Sequence, residues 1–147
     1  MELNLPVYSA YLAGFLIILQ TYLAASAGFH RGRNRKPIGY ADDPDLERKV
    51  RRHANMAEYA PIFIAALTLY ELILGQTTSV LVLALMFGAA RIFHFIGFAS
   101  SSGSHMEKVE EGGRKYFVFA RMAGAGFSLL SSFALGAMLI WQVAALS

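Results

Sequence analysis

The sequence contains no cysteine and few charged residues. Its 147 residues are 56% hydrophobic, and Lys, Arg, Asp and Glu together make up 16%. Without cysteine, a disulfide and a protein thiol nucleophile are both excluded, and the compartment cannot be inferred from cysteine usage. The length predicts a single domain, residues 1–147.

Charge is scarce in four long apolar blocks, which cover residues 5–29, 59–75, 77–99 and 116–146. The first block has no charged residue and is long enough to cross a hydrocarbon core of about 30 Å. Because it follows the acidic Glu2 rather than a basic start, it is typical of a retained helix and not of a signal peptide. The pattern predicts an all-α integral membrane protein, a bundle of four transmembrane helices at about 5–29, 45–75, 77–99 and 114–146.

Basic residues are absent from one side of this bundle. All 13 Lys and Arg residues lie in or beside the connections between helices 1 and 2 and between helices 3 and 4. By the positive-inside rule these two loops face the cytoplasm. In the first loop, the pattern favours contact with anionic lipid head groups for Arg33, Arg35 and Lys36, and for Arg31 either such a contact or an anionic ligand. Nucleic-acid binding is excluded because the chain lacks a basic surface with stacking aromatic residues.

The most informative polar stretch is residues 47–61, where a charged helix runs into an apolar one. At 3.6 residues per turn, one face carries Arg48, Arg51, Asn55 and Glu58. Arg52 and Tyr59 line a neighbouring face. Polar groups at such depth are costly and usually pair with one another or with a ligand. Packing alone therefore does not explain this stretch. Its helix is predicted to start at Pro44 or Asp45, because Asp45 is a good N-cap residue.

Three isolated polar residues have both structural and functional interpretations. Gln20 favours a hydrogen bond between helices over catalysis, and His94 favours an interior position over a ligand or base role. The four histidines lack the H-x-x-x-H spacing of a metal site, so no metal is predicted. Arg121 keeps its charge and requires an anionic partner, either Glu58 or a bound ligand.

The polar face of helix 2 and the small residues 123–126 cannot both be satisfied in one bundle, which predicts a homotrimer.

The helix 2 pattern resembles the signature of the MAPEG family, the membrane-associated proteins in eicosanoid and glutathione metabolism. The resemblance rests on Glu47-Arg48-x-x-Arg51-x-x-x-Asn55-x-x-Glu58-Tyr59-x-Pro61 followed by an apolar helix. Weaker matches along the chain are Leu19-Gln20-x-Tyr22, Ala90-Arg91 with His94 and Gly97, and an arginine early in helix 4. Leukotriene-type members have tyrosines where His94 and Phe98 stand. The chain therefore resembles bacterial-type members, which implies the bacterial inner membrane.

The resemblance implies a homotrimer with glutathione sites between neighbouring subunits, near the cytoplasmic face. By position, it implies glutathione-binding roles for Arg31, Arg51, His53, Asn55, Glu58 and Tyr59. It also implies that Arg121, or alternatively Arg114, stabilises the glutathione thiolate, because a permanent cation beside sulfur lowers the pKa of a thiol. Glutathione is then a co-substrate, and no protein nucleophile is required.

The function implied by the resemblance is that of a detoxifying glutathione transferase or peroxidase. Such an enzyme conjugates glutathione to hydrophobic electrophiles or reduces lipid hydroperoxides. The alternative is a non-catalytic lipid-binding or scaffold protein on the same fold, since fold alone does not decide function. The complete helix 2 set together with Arg121 favours the enzyme.

Overall fold

The computed structural model describes residues 4–36, 38–39, 42–99 and 111–146, with side chains in the last range from 115 onward. Four helices account for most of them: α1 (Val7–Arg33), α2 (Pro44–Leu74), α3 (Thr78–Gly97) and α4 (Glu111–Ala144). All four are long and apolar enough to cross a membrane. α1 continues four residues past its predicted end at 29, because Arg31 and Arg33 are good helix formers and the basic residues of the last turn interact favourably with the helix dipole.

Asp43, and not Asp45, caps the start of α2. Its extended backbone lets the carboxylate Oδ1 accept a hydrogen bond from the N–H of Leu46 at 3.0 Å, and Pro44 takes the first helical position. Hydrogen bonds from His30 and from the N–H of Leu46 lower the pKa of the Asp43 carboxyl below its usual value. The predicted start at Pro44 is therefore confirmed, whereas the predicted cap was wrong by two residues, and Asp45 instead pairs with Arg48.

Glu71 joins α1 to α2 at the opposite end of the bundle. The α1 N-cap residue, Pro6, forms no side-chain cap, and the fully buried Glu71 carboxylate takes over that role. It accepts the N–H groups of Tyr8 and Ser9 at 2.9 and 2.8 Å and the Ser9 hydroxyl at 2.5 Å. A carboxylate at a helix N-terminus satisfies exposed N–H groups and interacts favourably with the helix dipole.

Glycines bring α3 and α4 into close contact. A Cβ on Gly97 would lie 2.6 Å from the Cα of Arg121, and a Cβ on Gly124 would lie 2.5 Å from the backbone nitrogen of His94. Gly126, in contrast, has no neighbouring atom within 4 Å of such a Cβ. The small residues 123–126 thus pack at Gly124 within one chain, so this segment does not by itself require a second subunit. Of the two features from which the homotrimer was predicted, residues 123–126 therefore no longer support it, and the polar face of α2 remains.

Candidate functional site

Polar side chains of all four helices meet at one end of the bundle, where α1 and α3 end and α2 and α4 begin. We call this the basic end. Apolar packing below it includes Phe63 of α2 and Phe87 of α3, whose rings stack with centroids 3.8 Å apart. This stacked pair holds α2 against α3 and places the polar residues of α2 next to those of α3.

The centre of the basic end is Arg91 of α3, which is 2% exposed. Its Nη1 donates to the Asn55 Oδ1 at 3.0 Å, and its Nη2 donates to the Ser128 hydroxyl. The guanidinium carbon lies 5.0 Å from the Phe87 ring centre and 5.6 Å from that of Tyr59. One cation therefore connects α2, α3 and α4 through neutral oxygens and aromatic faces, and among the ion pairs of the described residues none includes it.

A small cavity of about 70 Å³ lies beside this guanidinium. Its lining residues come from three helices and are Asn55, Tyr59, Arg91, His94, Ala125, Ser128 and Leu129. His94 is buried, as predicted, and its ring lies 4.8 Å from that of Phe98. Arg91 was not among the site residues predicted from the sequence. Its position in an apolar helix could have indicated a role in the site, because an arginine in such a helix requires polar partners.

Arg52 makes a second interhelical connection and was also missing from the predicted site. It is buried, its Nη2 donates to the Ser26 hydroxyl of α1 at 3.3 Å, and its guanidinium carbon lies 4.7 Å over the Phe95 ring of α3. Its Nε has no hydrogen-bond partner. The guanidinium is planar and weakly hydrated, which suits it to stacking on an aromatic ring in a buried position.

Gln20 forms the hydrogen bond between helices that the sequence predicted, and its partner is His53. The Gln20 amide nitrogen lies 2.9 Å from the His53 Nε2. This bond occupies Nε2 whichever of the two groups donates the hydrogen. The predicted ligand contact of His53 is therefore limited to its other ring nitrogen.

The remaining predicted residues of α2 are exposed on the surface of the single chain. Arg51 is exposed and pairs with Glu47, with Nε and Oε1 2.8 Å apart. Glu58 is exposed, and Tyr59 is 39% exposed. Within the described part of the chain, no ion pair includes Glu58. These side chains are accessible to a ligand or to a neighbouring chain.

A model of the MAPEG family matches residues 9–143. The chain belongs to the MAPEG family. The match includes most of all four helices, and it confirms the resemblance seen in residues 47–61. A search of curated proteins found no match to the chain. MAPEG membership is compatible with glutathione-related transferase or peroxidase activity and with eicosanoid metabolism, and some MAPEG members are non-catalytic.

The two predicted MAPEG arginines outside α2 lie on α1 and α4. Arg31 is half-buried in the last turn of α1. Arg121 is half-buried on α4, with its guanidinium carbon 4.6 Å over the Phe98 ring. Among the described ion pairs none joins Arg121 to Glu58, so that partner, one of two considered, is not found within one chain. The alternative residue, Arg114, lies outside the described side chains.

A single MAPEG chain does not gather all the predicted residues around one cavity. Asn55 and Tyr59 line the cavity beside Arg91, while that lining does not include Arg31, Arg51, His53, Glu58 or Arg121. Within the described ranges, no group of three His, Cys, Asp or Glu side chains is arranged so that it could hold a metal ion. What the basic end can do chemically therefore rests on its guanidinium cations, the Asn55 amide, the His53 ring, the exposed Glu58 carboxylate and the Tyr59 phenol.

Proposed function

We propose that the protein is a membrane enzyme that activates glutathione as a thiolate and reacts it with hydrophobic substrates. The observation that carries the proposal is Glu58, an exposed carboxylate on a membrane-entering helix with no ion pair in the described part of the chain. A carboxylate in this position is costly without a cation. The ammonium of glutathione supplies one, and Asn55 and Arg51 lie one and two turns away along the same helix.

In this proposal the tripeptide is held by complementary charges. Arg51 and Arg31 bind its carboxylates, because guanidinium groups pair with carboxylates through two parallel hydrogen bonds. Glu58 and Asn55 bind its ammonium, and Tyr59 and His53 add neutral contacts. Arg91 acts as a positioning residue, since its bond to Asn55 fixes the orientation of that amide.

The proposed chemistry needs only the thiolate of glutathione. In conjugation, the sulfur electron pair forms a bond to an electrophilic carbon, and the leaving group departs with its own bonding pair. In hydroperoxide reduction, two glutathione molecules supply two electrons, giving an alcohol, water and glutathione disulfide. Arg121, close to the membrane boundary, stabilises the thiolate in both reactions.

A thiolate titration tests this function. Glutathione is added to the purified protein in neutral lipid, and ultraviolet absorbance of the thiolate is followed between pH 6 and pH 9. We expect thiolate to form at a pH below the free thiol pKa of about 8.5. Glutathione that binds without forming thiolate, together with no turnover of chlorinated aromatic compounds or lipid hydroperoxides, would contradict the proposal.

We expect Arg51→Ala to raise the glutathione dissociation constant about tenfold to a hundredfold, which corresponds to a charge-assisted contact of about 1.5–3 kcal/mol. Loss of its exposed pair with Glu47 has little effect on stability, because surface ion pairs contribute little. Arg48→Ala is the matched control, since it removes one cation from the same helix and also breaks a pair, with Asp45. Equal affinities for the two variants by calorimetry would remove Arg51 from the site.

The outward-facing polar residues also support a homotrimer, in which a neighbouring chain completes the site. Arg51, Glu58 and Tyr59 are exposed in one chain, whereas such groups in a membrane protein normally face protein or water. Native mass spectrometry in mild detergent is expected to show mainly trimer. Monomer as the main species across a tenfold range of concentration would argue against the assembly.

A non-catalytic lipid-binding role is the second candidate. It is favoured by an apolar groove of about 460 Å³ between α1 and α3, lined by residues that include Tyr8, Phe15 and Leu85. A groove with this lining suits an acyl chain. The thiolate titration separates the candidates, because a lipid-binding protein forms no glutathione thiolate.

A further inference from the structure

A polar cavity separate from the Arg91 cluster lies between the end of α1 and the start of α2. Its volume is about 440 Å³, and its lining residues are Ser26, Phe29, His30, Arg33, Asn34 and Lys49. The α1 residues are spaced by three, one and three positions from Ser26 to Arg33, so they share one helix face. Two of the lining residues are basic, Arg33 and Lys49, and none is acidic.

Lys49 is held in place by a chain of hydrogen bonds behind the cavity. Its Nζ lies 2.7 Å from the His30 Nδ1, and the His30 Nε2 lies 2.9 Å from the Asp43 Oδ2. An ammonium only donates, so Nδ1 accepts, and the ring proton on Nε2 is donated to the Asp43 carboxylate. The other oxygen of that carboxylate caps α2.

This arrangement positions the ammonium before any ligand arrives. A free lysine side chain loses rotamer freedom on binding, and part of that cost is removed here because the His30 contact already orders it. The same carboxylate orders the helix start and the histidine, so the position of Lys49 is coupled to the fold of α2. Generic surface lysines lack such support.

The cavity lies beside Phe29, the last residue of the apolar block 5–29, where α1 becomes basic. Phe29, one of its lining residues, is 78% exposed, and aromatic residues are enriched at membrane interfaces. Basic pockets between transmembrane helices at this level bind the head groups of anionic lipids. We propose that this cavity binds a phosphate group, that of an anionic phospholipid, between Lys49 and Arg33.

The proposal is tested by native mass spectrometry of the delipidated protein with phosphatidylglycerol and phosphatidylcholine of identical acyl chains. We expect phosphatidylglycerol to bind at least about tenfold more tightly than phosphatidylcholine, because the choline group would place a positive charge close to Arg33 and Lys49. Arg33→Gln/Lys49→Gln is expected to weaken phosphatidylglycerol binding about thirtyfold. The matched control is Arg35→Gln/Lys115→Gln, which removes the same charge from exposed residues on the same side but outside the cavity, and it is expected to change affinity less than threefold.

Inorganic phosphate distinguishes a lipid from a soluble ligand. If phosphate raises the melting temperature of the wild-type protein but not of the double variant, and the two lipids bind equally, the ligand is soluble and the lipid assignment is overturned. Equal effects of the double variant and its control overturn the site itself. Arg33→Gln alone changes only an exposed side chain, so it provides a second measurement, with an expected loss of about fivefold, if the double variant does not fold.

None of the substituted residues belongs to the proposed glutathione site. The thiolate titration is therefore expected to be unchanged in the double variant, and failure of either proposal leaves the other standing.

Discussion

Arg121→Ala is expected to lower turnover at neutral pH about tenfold to thirtyfold, while the affinity for the protonated thiol of glutathione changes little. An adjacent cation lowers the pKa of an acidic group by about 1–3 units, so its removal shifts the glutathione thiol back toward about 8.5. At neutral pH the reactive thiolate then becomes a minor species. Since the thiolate returns as the pH rises, turnover of the variant is expected to recover partly toward pH 8.5, whereas the wild-type rate is already near its plateau.

The measurement is a pH–rate profile, with affinity determined separately by calorimetry. Arg121→Lys is the conservative control: it keeps a cation and is expected to retain part of the thiolate stabilisation. Since the Arg121 guanidinium also stacks on Phe98, thermal unfolding of each variant reports any structural role. Full activity with an unshifted profile would show that Arg121 does not act on the thiol. The same change in Arg114→Ala, and not in Arg121→Ala, would assign the role to Arg114.

Gly124→Ala is expected to destabilise the bundle by about 1–3 kcal/mol, the usual cost of overpacking a well-packed interior. The added methyl group would lie 2.5 Å from the His94 nitrogen and 2.8 Å from the Ala90 carbonyl oxygen. Both are backbone atoms of α3, so no side chain can rotate away, and the two helices must separate. Separation also weakens the bond from Arg91 to Ser128, which lies one turn along α4 from Gly124.

Gly126→Ala provides the matched control two residues further along α4. A Cβ there meets no atom within 4 Å in one chain, and alanine is a better helix former than glycine by about 0.5–1 kcal/mol. We expect this variant to melt at or slightly above the wild-type temperature in detergent, and Gly124→Ala well below it. Similar melting of both variants would show that α3 and α4 do not approach as closely as described. A loss confined to Gly126→Ala would instead indicate a contact between subunits.

Local sequence determined the helices and much of the site. The length of each apolar block was enough to predict four spanning helices, because a backbone in hydrocarbon must satisfy its own hydrogen bonds. The spacing within residues 47–61 was enough to predict the polar face of α2, since side-chain direction around a helix axis follows from 3.6 residues per turn. The same spacing indicated the MAPEG family, which the match to residues 9–143 confirms.

The N-cap residue of α2 could not be predicted from the local sequence alone. Asp43 and Asp45 are both suitable capping residues, and the sequence favoured the wrong one. What decided it was His30, from another helix, which holds the Asp43 carboxylate in place, together with Pro44 at the first helical position.

Only the tertiary structure decided which partners the buried polar groups take. Asn55 bonds to Arg91, 36 residues away, and Ser9 bonds to Glu71, 62 residues away. Helical periodicity sets the direction of a side chain on its own helix, but the rotation and depth of the neighbouring helix depend on packing along the whole contact. For α3 and α4 that packing is controlled by the absence of a Cβ at Gly97 and Gly124, and it places Arg91 within reach of Ser128.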